Sequence, residues 1–447
     1  MNPSIENISE LENAHAAFLA TQETPLKPWA EKLQQTAFDE FKTQGFPSTK
    51  EDDWRYTNLK HWAQESLAFA GEAKPDLAKY QELFDATRAG LDAYHLVFAN
   101  GVLVEDWSEG QGLPQGLHLH SAADVDEGLW KKLQPVLEKD WRLGAHGLQS
   151  LNKAFMQQLV VIEVDADISI DKPLHIMHLV STEEKNRILS PRLVVWQRRG
   201  AKMTLVESYV GRGEERYFTN SMTDIFVAEF ASLKHLKIQA EANKANHYGG
   251  LNIEQGAASR YELFSLATGA EVLRNDVQCV LAGEESYCSL DGISVLSGSE
   301  HVDNFTQIEH QQENTVSREF YKNVVGGKAS ASFSGKVYVH PEAQKTDAAQ
   351  TNKNLLTSKQ ARANTRPQLE IYADDVKCAH GATVGQLDAN ALFYLRSRGI
   401  TDKEARRMLL LAFANEVADR SLSGTLHDYV QSIVNDRLEH GFGAEES

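Results

Sequence analysis

A short pattern recurs in the middle of the chain: "GAKMTLVES" at residues 200–208, "FASLKHLKI" at 230–238, "GAASRYELF" at 256–264 and "GEESYCSLD" at 283–291. Each copy begins at or beside a small residue and continues with alternating apolar and polar residues, as short β-strands do. The copies start about 26 to 30 residues apart. A loose repeat of this length predicts a stack of β coils, in which each coil buries its inward residues on its neighbours.

Strand-like sequence of this kind runs from about residue 155 to about residue 390, with helical patterns on either side. We therefore expect a helical and mixed region at 1–150, a β core at 151–390 and a helical region at 391–447. Within the first region, "AYHLVFANGVLVED" predicts a hairpin around Asn100-Gly101. A β-sandwich is the competing interpretation of the core, because short strands separated by turns look alike in both folds. We favour the coil stack.

Composition and charge exclude several classes of protein. The 447 residues carry a formal net charge of −18, which disfavours a nucleic-acid partner, since phosphate binding needs a basic face. The sequence has no run of about 18 apolar residues, so no membrane span is expected, and the acidic N-terminus lacks the pattern of a secretory leader. We therefore expect a cytoplasmic protein. Neither Gly327-Lys328-Ala329 nor Gly335-Lys336-Val337 completes a P-loop, so nucleotide hydrolysis by that route is not expected.

The stretch "DDVKCAHGATVG" at residues 374–385 places Cys378 and His380 two residues apart. On a strand the two side chains lie on the same face. A thiolate and an imidazole together can hold iron, zinc or a persulfide sulfur, but they supply half of a tetrahedral set. With three cysteines and no CxxC pair, a self-sufficient metal cage is not expected. The pair is therefore either a half-site that another chain completes or a structural pair.

Other polar residues of the core region have a simpler interpretation. Glu309, Glu313 and Glu319 could bind a cation, but we expect a solvated face. The histidines of this region are expected in turns or on the surface: His301, His310 and His340. The stretch Trp54-Arg55-Tyr56 is expected to anchor the N-terminal region in the core.

Two amphipathic helices are predicted at the C-terminus, "EARRMLLLAFANEVADRS" at 404–421 and "LHDYVQSIVNDRLEH" at 426–440. They could cap the open end of the β stack, where unpaired strands need protection. They could equally form a docking surface for a partner.

Three stretches resemble the SufB/SufD family of iron–sulfur cluster assembly scaffolds. "DDVKCAHGATVGQLDANALFYLRSRGI" at 374–400 is similar to the family's C-terminal signature, "GFPSTKEDDWRYTNL" at 45–59 to its N-terminal one, and "GKASASFSGKVYVHPEAQKTDAAQTNKNLLTS" at 327–358 to its central one. They occur in the family's order and span most of the chain. Gly381 stands where the SufB branch typically has glutamate, so the sequence is more similar to the SufD branch.

The resemblance implies a right-handed parallel β-helix flanked by N-terminal and C-terminal helical regions. It also implies a complex with a SufB-like paralogue, joined through the β-helix edge, and with a SufC-like ABC ATPase that binds the ATP. The ATPase would dock on the C-terminal region, at Phe393, Tyr394, Arg396, Arg398, Gly399, Met408 and Leu409. When isolated, the chain could pair with itself through the same edge.

The implied role is that of a non-catalytic scaffold subunit that takes part in iron acquisition. A nascent iron–sulfur cluster or iron would form at the shared interface, with His380 and Cys378 as the residues of this chain that bind it. A reduced flavin in the complex is also possible.

Two enzyme hypotheses compete with this one. "HGATVGQ" also resembles a segment of hexapeptide acyltransferases with a left-handed β-helix, in which a histidine acts as general base, and this would give His380 that role. Those chains carry tandem [LIV]-G-x-x-x-x units, and no such array is found here. A polysaccharide lyase or hydrolase would need paired carboxylates or a basic residue on one coil and usually a secretion signal.

Overall fold

A computed structural model describes residues 8–20, 28–64, 67–68, 75–108, 112–139, 147–156, 158–181 and 185–442. The α-helices in these residues are α1 (Ile8–Ala20), α2 (Pro28–Gln44), α3 (Lys60–Gln64), α4 (Gln81–Arg88), α5 (Glu127–Leu137), α6 (Gly147–Ala154), α7 (Ala389–Ser397), α8 (Asp402–Ser421) and α9 (Thr425–Gly441).

The strands are β1 (Tyr94–Ala99), β2 (Val102–Leu103), β3 (Leu117–Ser121), β4 (Gln158–Val164), β5 (Leu174–Ser181), β6 (Arg187–Leu189), β7 (Pro191–Gln197), β8 (Lys202–Arg212), β9 (Tyr217–Val227), β10 (Ser232–Ala240), β11 (Asn246–Gln255), β12 (Arg260–Ala267), β13 (Val272–Leu281), β14 (Tyr287–Leu296), β15 (His301–His310), β16 (Val316–Val325), β17 (Ser330–Val339), β18 (Asp347–Leu356), β19 (Arg362–Ile371) and β20 (Lys377–Gly385).

The strands form two sheets. Sheet 1 has the order β2-β1-β5-β8-β10-β12-β14-β16-β18-β20, and sheet 2 has the order β19-β17-β15-β13-β11-β9-β7-β4-β3, with β6 beside β9. From β8 onward the chain places one strand in each sheet alternately, and neighbours are parallel. The core is thus a parallel β-solenoid of about eight turns, as predicted. The β-sandwich interpretation is wrong, since a sandwich is built from antiparallel sheets.

A column of left-handed residues sets the register of the coils. Gly200, Phe230, Ala258 and Glu285 have φ of 70°, 61°, 51° and 59°, and each precedes its strand of sheet 1 by two residues. Each amide bonds to the next coil; the Phe230 amide, for example, donates to the Ala257 carbonyl at 3.0 Å. The predicted coil starts at 200 and 230 belong to this column, whereas those at 256 and 283 are two residues early.

The N-terminal region packs on the outer face of sheet 2. Trp54 is 3% exposed, and the Arg274 guanidinium of β13 lies 3.9 Å from its ring centroid. Arg274 also donates to the Asp53 carbonyl at 2.6 Å and to Asp303 at 2.7 Å. A buried cation held by carboxylates and an aromatic face makes Trp54 an anchor, as predicted. The prediction is wrong for Arg55 and Tyr56, which are exposed.

The first strands close one end of the solenoid. The predicted hairpin is confirmed: β1 and β2 pair antiparallel on either side of Asn100-Gly101. β1 also extends sheet 1 beside β5, and β3 extends sheet 2 beside β4. The solenoid sheets therefore include strands from the region predicted as helical and mixed. Among the described helices, none is long and apolar enough to cross a membrane.

The C-terminal helices pack on the outer face of sheet 1. Buried residues of α8 and α9, among them Leu410 and Val430, join a core cluster with Phe264 and Phe320 of the sheet. The buried Lys322 ammonium of β16 donates to the Phe413 carbonyl of α8 at 2.7 Å. The helices thus lie along the side of the solenoid, and the prediction that they cap its open end is wrong.

Candidate functional site

The candidate site lies on the last strand of the solenoid. Among the described strands, β20 is the end of sheet 1 and pairs with β18 alone, while β19 is the end of sheet 2 and pairs with β17 alone. Strands with one neighbour present a row of unpaired backbone N–H and C=O groups, which favours pairing with another chain. The end of the solenoid that carries β20 is thus an open pair of sheet edges.

Cys378 and His380 lie on the same face of β20, as predicted. In the parallel register Cys378 is opposite Ala348 and His380 is opposite Gln350. Ala348 and Gln350 are each 2% exposed and face the solenoid interior. Cys378 packs half-buried against the interior core, whereas His380 is exposed at the open end. Both candidate ligands thus lie at the mouth of the interior.

The environment of Cys378 keeps its thiol protonated. Burial raises the pKa of this thiol, and a backbone contact with Ala348 opposes the shift. The thiolate is the form that binds a metal or attacks sulfur. A metal ion or a positive charge from another chain is therefore needed to convert Cys378 into a ligand.

The other cysteines cannot complete this site. Cys279 and Cys288 are both buried, and Cys288 lies three coils from Cys378 in the same inward column, through Ser317 and Ala348. Three strand spacings amount to roughly 14 Å. Among the residues that the structure describes, no three His, Cys, Asp or Glu side chains are grouped to hold a metal ion. Within this chain the candidate site is a pair of residues.

A buried carboxyl below His380 was missed by the sequence analysis. Glu319 lies opposite Gln350 in the inward column of His380 and is 2% exposed. Burial raises the pKa of Glu319 to about 7, against the opposing effects of Thr306 and Gln350. The prediction of a solvated face is wrong for Glu319 and for Glu309, which is also 2% exposed. It holds for Glu313, which lies in an exposed turn.

The histidines expected in turns or on the surface are more buried than predicted. His310 is fully buried and bonds to the Thr315 and Ser317 hydroxyls at 2.8 and 2.9 Å, so its prediction is wrong. His301 and His340 are half-buried. The interior of the solenoid accepts polar residues because groups on adjacent coils satisfy one another, which periodicity alone does not reveal.

The predicted docking residues lie just after the open edge. α7 has no buried side chain, and Phe393 and Tyr394 on it are 74% and 57% exposed. Met408, at the start of α8, is 41% exposed. The Arg398 guanidinium lies 5.3 Å from the centroid of the Tyr394 ring, and Arg396 forms an ion pair with Asp402 at an N–O distance of 3.4 Å. Gly399 has a φ of +85°, and Leu409 is half-buried.

Comparison with known families identifies the chain. Residues 10–176 match the SufBD protein N-terminal region, and residues 179–413 match the SufBD core domain of SUF system FeS cluster assembly. The chain belongs to the SufB/SufD family. Within the SufB/SufD family, it is 33% identical over 404 residues to the iron–sulfur cluster assembly protein SufD of Escherichia coli, covering 89% of this chain and 90% of that protein.

Two further SufB/SufD relatives agree. An iron–sulfur cluster assembly SufBD family protein of Synechocystis is 31% identical over 399 residues, with 86% of each chain covered. One from Mycobacterium leprae is 27% identical over 294 residues, covering 63% of this chain and 74% of that protein. The chain is thus an iron–sulfur cluster assembly protein of the SufD branch. The acyltransferase and polysaccharide-lyase hypotheses receive no support from these matches.

Proposed function

We propose that this chain is a non-catalytic scaffold subunit whose His380, with Cys378, forms one half of an iron–sulfur assembly site that a second chain completes. The observation that carries the proposal is the position of the pair: two potential ligands on an edge strand of the solenoid, with no third ligand beside them among the described residues. Iron or a nascent cluster is the cargo of this site. Iron acquisition is the step to which an exposed imidazole contributes most directly.

The second chain is expected to continue the solenoid. Exposed apolar residues cluster at the open end: Ile371 and Tyr372 at the end of β19 and Val384 on β20 are 38%, 57% and 49% exposed. A strand of another chain can add to such an edge by main-chain hydrogen bonds while its side chains cover the apolar groups. A SufB-like paralogue, itself a β-solenoid, fits this edge. In its absence two copies of this chain can use the same edge.

The ATPase is expected on α7 and the start of α8. An exposed Phe393 and Tyr394 on a helix without buried residues need a partner surface, because aromatic residues dominate the energetics of interfaces. A SufC-like ABC ATPase on this surface would bind the ATP and move the open edge relative to the second chain. A reduced flavin as electron source in the complex is part of the same proposal and rests on the resemblance alone.

Two variants separate the two partner surfaces. Val384→Lys places a charge in the open edge, and such a charge blocks strand pairing. Co-purification should then lose the SufB-like subunit and keep the ATPase. Phe393→Asp should give the reverse pattern. Phe230→Asp, at another exposed phenylalanine, is the control and should retain both partners. If Val384→Lys and Phe393→Asp behave like the control, the assignment of both surfaces is wrong.

The site is tested by the iron and acid-labile sulfide content of the anaerobically purified complex. His380→Ala should lower both while the complex stays intact. His340→Ala, a half-buried histidine at the end of β17, is the matched control and should leave both unchanged. Equal loading in native chain and His380→Ala would limit this subunit to an architectural role.

A further inference from the structure

The side chains below His380 form a polar column into the solenoid. His380 on β20 is opposite Gln350 on β18, and Gln350 is opposite Glu319 on β16. All three face inward, and parallel strands lie about 4.8 Å apart. Side chains at equivalent positions of adjacent coils are therefore in contact distance, so Gln350 separates the exposed imidazole from the buried carboxyl.

The described residues bind the nitrogen of the Gln350 side-chain amide but not its oxygen. Its Nε2 donates to Glu319 Oε2, which fixes the orientation of the amide. β17 approaches the same nitrogen at Gly335, where an added Cβ would lie 2.8 Å from Nε2, so the space around the amide is tightly defined. The carbonyl oxygen Oε1 is buried and has no hydrogen-bond partner among the described residues. Buried polar atoms without partners are rare enough to require an explanation.

The other inward side chains of β18 and β20 around His380 do not offer a free acceptor. Asn352, next along β18, accepts from Asn354 at 2.7 Å and donates to the Tyr321 carbonyl at 3.3 Å. The remaining inward neighbours carry no oxygen in their side chains: Ala348, Cys378 and Ala382. On these two strands Gln350 Oε1 is thus the available acceptor beside the imidazole, and His380 has no hydrogen bond within the described part of the chain.

We propose that Gln350 is a positioning residue for His380. Its Oε1 accepts the N–H of one ring nitrogen, which fixes the tautomer and leaves the other nitrogen free for iron, and Glu319 anchors Gln350 from below. A histidine that binds a metal normally donates its second N–H to such an acceptor, and loss of the acceptor typically weakens the metal site by about 10- to 100-fold. This inference rests on the proposed role of His380 as a ligand.

The test compares iron affinity by chelator competition in the anaerobically purified complex. Gln350→Met, which keeps the length of the side chain and removes the acceptor, should lower the affinity by about 10-fold or more. Asn352→Leu removes an interior amide on the same strand that does not serve His380, and should change it less than about 2-fold. The double variant Glu319→Gln/Gln350→Glu exchanges the two side chains. It therefore has the acceptor beside His380 that Gln350→Met lacks, and its iron affinity should be that of the native chain.

A second readout responds to the tautomer and not to general stability. With ¹⁵N-labelled histidine, the ring nitrogens of His380, assigned by comparison with His380→Ala, should show one tautomer in the native chain and a mixture in Gln350→Met. Unchanged tautomer and affinity in Gln350→Met, or failure of the double variant to recover the affinity, would overturn the inference. If His380→Ala itself leaves iron affinity unchanged, the proposed ligand role fails instead.

Discussion

Replacing Glu319 with glutamine should remove a pH-dependent weakness from the solenoid. Glu319 is 2% exposed, and burial raises the pKa of its carboxyl from 4.5 to about 7, with Asp291 adding to the rise and Thr306 and Gln350 opposing it. Within the described part of the chain its Oε1 makes no hydrogen bond, although the Thr306 hydroxyl is near enough to influence the carboxyl. The folded chain therefore prefers the protonated carboxyl, whereas the unfolded chain ionises it near its ordinary pKa.

The sign and size of the effect follow from this difference. Below pH 4.5 both states are protonated and Glu319 has no influence on stability. As the pH rises from 4.5 to about 7, the unfolded state loses its proton first, so the free energy of unfolding falls, and above about 7 it levels off. At about 1.4 kcal/mol per pKa unit, the total loss is about 3 kcal/mol. Glutamine keeps the shape and the acceptor for Gln350, so the Glu319→Gln chain should not show this loss.

Urea denaturation at pH 5 and pH 8.5 measures the prediction. The difference in apparent unfolding free energy between Glu319→Gln and native chain should be small at pH 5 and should approach 3 kcal/mol in favour of the variant at pH 8.5. Glu313→Gln makes the same chemical change in an exposed turn and should have no effect at either pH. A difference that is the same at both pH values, or that favours the native chain at pH 8.5, would refute the assignment of Glu319 as a carboxyl held protonated by burial.

Three further predictions concern the turn column, the C-terminal helices and the thiol. Phe230→Gly should raise the apparent unfolding free energy by about 0.5 to 1 kcal/mol, because Phe230 is 52% exposed with a φ of +61°; a lower urea midpoint would contradict this. Lys322→Ala should weaken the packing of α8 by about 2 kcal/mol. It removes the hydrogen bond to the Phe413 carbonyl, the ion pair with Glu416 and the cation–π contact with the Phe413 ring, whose centroid lies 3.9 Å from the ammonium. Amide hydrogen exchange in α8 should become faster, and unchanged protection would contradict this prediction. Burial raises the pKa of the Cys378 thiol, so this residue should react slowly with iodoacetamide at pH 7.5 and faster above pH 9. The two buried cysteines should stay unlabelled. Rapid labelling of Cys378 at pH 7.5, measured by mass spectrometry, would contradict this prediction.

The repeat in the sequence predicts the solenoid because each coil has nearly the same length and the same alternation. It places the coils less accurately, since the left-handed turn position is occupied by Gly200 in one coil and by Phe230, Ala258 and Glu285 in the next three. A backbone held by hydrogen bonds to the next coil tolerates such residues, so glycine is a poor marker of the turn in this fold.

The candidate site could be predicted in part. The i and i+2 spacing of Cys378 and His380 is sufficient to place both on one face of a strand. The interior column was not visible, because polar alternation in Glu319 and Gln350 looks the same on a solvated face as inside a solenoid with paired polar groups. The sequence separation of 31 between those two matches the coil length, which would have revealed the column once the register was known. α7 was not predicted as a separate helix.

Nitrogen coupling to the cluster tests the shared-site proposal most directly. The complex is assembled with ¹⁵N-histidine in this subunit alone, and its reduced, paramagnetic cluster is measured by pulsed electron paramagnetic resonance. We predict a ¹⁵N coupling of a directly bound imidazole in the native complex, absent in His380→Ala and retained in His340→Ala. A cluster that forms in the native complex without this coupling, or a coupling that persists in His380→Ala, would contradict the proposal that His380 binds the cluster.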